Sequence, residues 1–426
     1  MGFALRLRRD FYADGSAAAG EGRHLDAMGH FQRALQKNPE DVRVLLAMGD
    51  TMAALGQVHG AEVCYRRVLA HAPGRREALA HCANLLRRQD RNADVIALLE
   101  PAVARNGDDA DLRLVLGSAF RDAGDWLAAE NQFSEALRLS PGNPVALSDL
   151  AALLAARGAT DAALAAYDAI LAGDPEHAQA RHNRGTLLLS KGDFSQGWHD
   201  YEYRLRSEDS AIGADHNLPL WNGNRSEGLR LLVTAEQGIG EQIMFASLIP
   251  ELAALLARNG GVVILEADPG LVPLFARSFA GVCVRPMKLQ SQNGRRSVHY
   301  DWLAECGGAN AAIAIGSLAH RMRQAITDFP ARQSYLVPDA AEQAQAKQWL
   351  AAQGAGPFVG VCWRDGDGLN RVQAPLEAWA AFLRDLAGVP VLLQQDATGE
   401  DIAVLEQASG RKLLVPPELD QTWELD

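Results

Sequence analysis

The chain is short of cysteine, of basic charge and of long apolar runs, and each shortage removes a class of protein. Five cysteines stand among 426 residues, Cys64, Cys82, Cys283, Cys306 and Cys362. The number is odd and no two form a Cys-x-x-Cys pair, which fits neither a disulfide framework nor a zinc ribbon and points to a reducing compartment. The eleven histidines are scattered, with no pair at zinc-ligand spacing on one helix. Asp365-Gly366-Asp367-Gly368 alternates carboxylates but lacks the remaining ligands of a calcium loop. No metal site is therefore expected. Lys and Arg number 41 against 53 Asp and Glu, a net charge of −12. Nucleic acid, whose affinity rests on basic side chains neutralising phosphates, is not expected as a partner. No segment approaches the roughly 20 apolar residues of a membrane helix. The opening MGFALRLRRDFYADGS carries neither an apolar core nor a small-residue cleavage site. The expectation is a cytoplasmic protein without a membrane span, and with 48% apolar residues it has enough to pack globular cores.

What is present is a period. A turn-forming residue recurs every 34 residues, at Pro39, Pro73, Gly107, Pro141 and Pro175. In fixed phase with it run four further columns. One is small: Gly15, Gly49, Ala83, Gly117, Ala151 and Gly185. The next reads Ala27, Ala61, Val95, Ala129, Ala163 and Gly197, and is followed by a large ring or aliphatic at Phe31, Tyr65, Leu99, Phe133, Tyr167 and Tyr201. Then come Ala34, Val68, Ala102, Ala136, Ile170 and Arg204. Such columns describe two antiparallel helices per unit. Small residues let the backbones cross, a ring fills the gap between one unit and the next, and a proline stops the second helix. One unit cannot bury its apolar face alone, so units must stack. Gly20 and Gly22 are expected to interrupt the helices of the first unit.

These columns resemble the tetratricopeptide repeat. The resemblance implies a superhelix of about six units over residues 7–205, with a groove that takes a protein or peptide. First-helix residues expected to face the groove include Arg43, Asp50, Glu77, Asn84, Arg87, Arg121, His182 and Thr186.

After a linker at 206–217 the period changes. Short apolar runs at 229–233, 262–265 and 282–285 read as buried strands, with helical patterns at 242–258 and from Pro269 onward. Strand–helix alternation means a parallel sheet covered by helices. Gly238 and Gly240 follow the first strand and Glu241 opens the next helix, the place where open α/β sheets hold ligands. A tight turn is the plainer reading of Gly-x-Gly-Glu on its own.

Four landmarks in order change the weighting. Gly197-Trp198-x-x-Tyr201-Glu202-x-Arg204 with Leu218-Pro219-Leu220-Trp221-Asn222-Gly223 comes first. Glu236-Gln237-Gly238-Ile239-Gly240-Glu241, then Gly360-Val361-Cys362-Trp363-Arg364, and finally Leu392-Leu393-Gln394 follow. Together they resemble a bacterial glycosyltransferase-like domain found behind tetratricopeptide repeats and related to heptosyltransferases and to O-linked N-acetylglucosamine transferase. The resemblance implies an α + α/β chain. Its repeat superhelix would precede a Rossmann-like, two-lobed GT-B-like region, with a first lobe at 218–335, a bridge at 336–357 and a partial second lobe at 358–426. It implies Glu241 as general base toward an acceptor hydroxyl. Arg364 would steady the diphosphate of a nucleotide-sugar co-substrate. Gln237, Gly238, Gly240, Arg371 and Gln394 would line the donor and acceptor cleft. No cofactor and no metal are implied.

Two departures follow. The second lobe holds three strand candidates, 358–362, 389–393 and 412–415, and lacks the Asp-Thr…His-Leu-Ala-Gly segment that holds the donor diphosphate in that family. The column matching the groove asparagines of O-linked N-acetylglucosamine transferase reads Ala47, His81, Val115, Asp149 and Asn183. Two functions are thus expected. One is a glycosyltransferase-like protein whose repeats bind a protein or glycan acceptor. The other is a non-catalytic tetratricopeptide adaptor with a truncated or inactive α/β half.

Overall fold

A computed structural model describes residues 10–206, 212–214, 216–236, 238–292, 295–331, 334–363, 375–394 and 397–416. The chain forms two compact units that divide between Leu187 and Leu188.

The first unit is helical. Its elements are α1 (Phe11–Gly20), α2 (His24–Lys37), α3 (Val42–Ala54), α4 (Val58–His71), α5 (Arg76–Arg87), α6 (Asn92–Arg105), α7 (Ala110–Asp122), α8 (Trp126–Leu139), α9 (Pro144–Ala156) and α10 (Thr160–Gly173), with α11 (Ala178–Ser190) crossing the division. Each even helix from α2 to α10 ends two residues before the phased proline or glycine, which cannot continue it. Asp41, Asp109 and Asn143 then cap α3, α7 and α9, accepting backbone N–H bonds at the helix start.

The columns carry the packing, with one addition. The ring does reach the next unit, as Tyr65 meets His81 edge-on at 5.7 Å, but it also lies on the small residue of its own unit. A Cβ placed on Gly15, Gly49 or Gly117 would stand 2.6 Å from the ring of Phe31, Tyr65 or Phe133 respectively. Where Leu99 replaces the ring, Ala83 replaces the glycine. Gly20 and Gly22 do not interrupt the first unit either. Gly20 ends α1, and Gly22, at φ +74°, turns the chain into α2. The same left-handed turn recurs at Gly56, Gly124, Gly158 and Gly192, and at Asp90 with φ +57°, a further 34-residue column.

The second unit holds α12 (Phe194–Tyr201), β1 (Ile212–Ala214), β2 (Arg230–Thr234), α13 (Ile239–Ala246), α14 (Ile249–Ala257), β3 (Val262–Ala267), α15 (Val272–Ser278), β4 (Cys283–Pro286), β5 (Leu289–Gln292), β6 (Arg295–Val298), β7 (Ala311–Ala314), α16 (Ser317–Met322), α17 (Ala340–Ala352), β8 (Phe358–Val361), α18 (Leu376–Asp385), β9 (Val389–Leu392) and α19 (Gly399–Ser409). The central sheet is parallel, in the order β4-β3-β2-β7, so the order reverses between β2 and β7. Beside it stand the small sheet β1-β6-β5 and the parallel pair β8-β9. The run at 412–415 contributes an isolated bridge, Val391 with Leu414, rather than a strand.

The helical pattern at 242–258 is two helices, bent by 46°. Pro250 lies in the first turn of α14, where it has no N–H to donate back into α13. No single helix among the described residues is long and apolar enough to cross a membrane.

One face of the central sheet packs on Phe245, Ile249, Leu252 and Leu256, and on Trp198 from α12. Trp221 joins this core, and its N–H donates to the Ala312 carbonyl at 2.8 Å, extending the sheet past β7. The opposite face carries Leu232, Ile264 and Ala312 under Trp302. There the cysteine reading is corrected. Cys283 of β4 and Cys306, at the end of the 3-10 turn Asp301–Cys306, form a disulfide. Their 23-residue separation gives no spacing signal; the sheet brings them together.

Candidate functional site

In the first unit, consecutive odd helices from α1 to α9 touch one another, which makes their shared face the inner face of the stack. Of the groove residues named from the sequence, six lie on these helices and His182 and Thr186 on α11, but most of their charge is already matched. Asp50 accepts the Tyr65 hydroxyl at 2.8 Å and meets the Nδ1 of His81 at 2.6 Å. Arg121 bonds Asp122 at 3.1 Å and Asp149 at 3.0 Å, and Arg87 reaches Asp122 at 3.5 Å. Burial pushes the Asp149 carboxyl up, against the pull of Arg121. Burial and the neighbouring Asp50 likewise raise the Tyr65 phenol far above its ordinary value. Arg43 pairs with Asp41, and Glu77 with Arg75. Asn84 stays exposed on α5. Of these pairs, Asp50–His81, Arg87–Asp122 and Arg121–Asp149 link successive repeats; together they order the groove and leave it with little net charge to offer.

In the second unit, the sequence-derived residues Gly238, Gly240 and Glu241 come together at the carboxyl end of β2. Gly238 is the N-cap of α13 and offers no side chain to its first turn. Glu241, exposed on that turn, folds back so that its carboxyl would lie 3.4 Å from a Cβ on Gly238. Gln237, Arg364 and Arg371 lie outside the described residues. Gln394 belongs to the β8-β9 pair instead. It is buried, and its Oε1 accepts the Trp363 N–H at 2.8 Å and the Cys362 thiol at 3.3 Å, stitching the two strand ends together.

The point where the strand order reverses is filled by the chain itself. Arg204, in the 3-10 turn after α12, is buried there. Its Nε and Nη2 donate to the two oxygens of Glu236 at 2.7 and 3.0 Å. Its Nη2 also reaches the Ser317 hydroxyl at 3.1 Å and its Nη1 reaches Glu202 at 3.0 Å. Glu236 accepts the Gly316 N–H at 2.5 Å, and a Cβ on Gly316 would strike both Glu236 and Arg204. Tyr201 lies under the guanidinium, 4.5 Å from its ring centre. Burial works against the Arg204 charge; the Glu236 carboxylate outweighs it and raises the group. One signal announced this ion pair: Arg204 is the charged member of a column otherwise small or aliphatic.

Two more buried polar groups lack such a signal. Gln242 donates to the Glu236 carbonyl at 2.6 Å and accepts the Asp268 N–H at 2.8 Å. Glu266, at the end of β3 and 1% exposed, accepts the Ala235 N–H at 3.0 Å and the Tyr300 hydroxyl at 3.3 Å. Burial pushes its carboxyl up to about 7.

Comparison with known proteins agrees with the repeat reading. Residues 18–85, 82–144 and 120–182 match tetratricopeptide repeat families. Protein FlbA of Caulobacter vibrioides is 31% identical over 359 residues, 82% of this chain and 60% of that protein. Cellulose synthase operon protein C of Xanthomonas axonopodis pv. citri is 32% identical over 250 residues, 54% of this chain and 16% of that one. The chain therefore spans about three fifths of FlbA and less than a fifth of the other relative. Among solved structures, a thermophilic TPR protein of Thermus thermophilus covers 42% of this chain and 97% of its own at 26% identity, with a TM-score of 0.34. The first unit is a stack of tetratricopeptide repeats, an architecture suited to protein interaction, and the second contains a small parallel sheet.

Proposed function

We propose that this tetratricopeptide-repeat chain is an interaction scaffold: the inner face of α3, α5, α7 and α9 receives an extended segment of a partner protein, and the α/β unit is a packed companion module. The reversal point of the sheet carries this reading. In open α/β folds that crevice admits a ligand. Here Arg204, Glu236, Gly316 and Ser317 fill it with a buried, bonded cluster. The inter-repeat pairs support it from the other unit, because a pre-ordered face loses less side-chain freedom on binding. Peptide display against the full chain tests it. Selected peptides should bind in the micromolar range and lose at least tenfold with Asp50→Ala, Asn84→Ala and Arg121→Ala combined. Peptides that bind this variant equally well would place the contact elsewhere.

A second reading is sugar transfer from a nucleotide-sugar to a protein or glycan acceptor, with Glu241 as base. What supports it is an exposed carboxylate on the first turn of α13, just past β2, where an acceptor hydroxyl has access. Calorimetry with uridine, guanosine and cytidine diphosphates tests the donor half. Silence with all three counts against it, and heat that survives Glu241→Gln while transfer fails counts for it.

A further inference from the structure

We infer that the second unit carries a site for a small polyvalent oxyanion, at the amino end of the central sheet and away from the Arg204–Glu236 cluster. A cleft of about 800 Å³ opens there, a size that holds a small organic ligand. Its walls include Trp221, Arg225, Glu251, Arg258, His320 and Arg321. The place follows from the chain: the Asn259 side chain bonds the Arg225 carbonyl at 3.0 Å, and its own carbonyl accepts the Gly228 N–H at 2.9 Å. Both stretches lie just before their strands, β2 and β3.

The charge balance in the cleft is uneven. Its two carboxylates are engaged: Glu251 is held by Arg323 at 2.8 Å, and Asp328 accepts the N–H groups of Gln324 and Ala325 at 2.9 Å. Arg225, Arg258 and Arg321 line the same cleft, and among the described residues no ion pair or hydrogen bond reaches any of the three guanidinium groups. Three unopposed guanidinium groups in a chain of net charge −12 need a local reason. Two have a partial one. Arg258 and Arg321 stand at the ends of α14 and α16, where a cation offsets the helix dipole. That leaves Arg225, which is on a loop. An oxyanion supplies the missing counter-charge. Its oxygens accept from the guanidinium forks, which suit phosphate and carboxylate alike. The Leu218-Pro219-Leu220-Trp221-Asn222-Gly223 motif then has a function beyond its bridge to β7. It sets Trp221 in the core and its next four residues on the cleft wall. Gly223, at φ +96°, makes the turn that a side chain would strain.

The test is calorimetric titration of the full chain, at fixed ionic strength, with inorganic pyrophosphate and separately with citrate. Saturable one-to-one binding of either supports the site, and the tighter of the two assigns phosphate or polycarboxylate chemistry. Arg225→Gln and Arg321→Gln should each weaken it about tenfold, the worth of one charge-assisted bond. Both side chains are exposed, so the variants should melt with the parent protein. No saturable heat with either anion at millimolar concentration overturns the inference. So does binding that the double variant leaves unchanged, or that added chloride removes in parent and variant alike.

Discussion

Glu236→Gln should unlatch the reversal point of the sheet. Arg204 and Glu236 side chains are 9% and 16% exposed, so neither water nor salt takes over when the charge is removed. The substitution keeps one oxygen and turns an amide toward the guanidinium. At least one of two charge-assisted bonds is lost, and a buried cation is left short of a counter-charge. Breaking a buried pair costs about 3–5 kcal/mol. Glu202 at 3.0 Å and Ser317 at 3.1 Å remain, which places the expected loss near the low end, about 3 kcal/mol. Urea denaturation read by tryptophan fluorescence is suited to the measurement, because Trp126 is the one tryptophan of the first unit and the other seven are in the second. At a slope of about 2 kcal/mol per molar, the midpoint should fall by about 1.5 M. Arg204→Met with Glu236→Leu should recover most of the loss, since an apolar pair leaves no charge stranded. A loss below about 1 kcal/mol for Glu236→Gln would put the pair among solvated surface bridges and refute the reasoning.

Other perturbations read other parts of the molecule. Gly117→Ala drives a methyl group to 2.6 Å from Phe133 and should cost about 1–3 kcal/mol by thermal denaturation, an overpacked core; a neutral result would mean the ring moves freely. Asp90→Gly relieves a left-handed backbone where five other repeat turns carry glycine, and should stabilise by about 0.5–1 kcal/mol despite the freedom gained when unfolded. Glu266 binds its proton more tightly when folded, with a pKa of about 7 against an ordinary 4.5. Its contribution is therefore complete below pH 4.5 and lost as pH rises through 7, a swing on the order of 3 kcal/mol. Glu266→Gln should flatten that part of the stability–pH curve, and a curve of unchanged shape would show that another group is responsible.

The repeat half was legible because its information is local and recurs. A ring 16 residues after a glycine, or a proline two residues past a helix end, says the same thing in successive units. Even so, the glycine of the ring's own unit was missed as a second partner, since a column shows that a ring packs but not on every neighbour. In the α/β half, the strands at 229–233, 262–265 and 282–285 were visible as apolar runs. β7 was not, because Ala311-Ala312-Ile313-Ala314 is too short and too small to stand out from a helix segment. Gly238, Gly240 and Glu241 are neighbours in sequence and so could be placed together.

From sequence alone came the 34-residue period, the change to strand–helix alternation, and the columns whose small and large residues must meet. These depend on spacing along one element, which the periods of helix and strand convert directly into faces. The tertiary structure alone decided which of those faces meet across long separations. It carried Arg204 32 residues to Glu236 and 113 to Ser317, filling the crevice beside the glycine-rich turn. It also joined Cys283 to Cys306 and set His81 on Asp50. Such pairings follow from the order of strands and the stacking of repeats, and a single sequence carries no spacing rule for either.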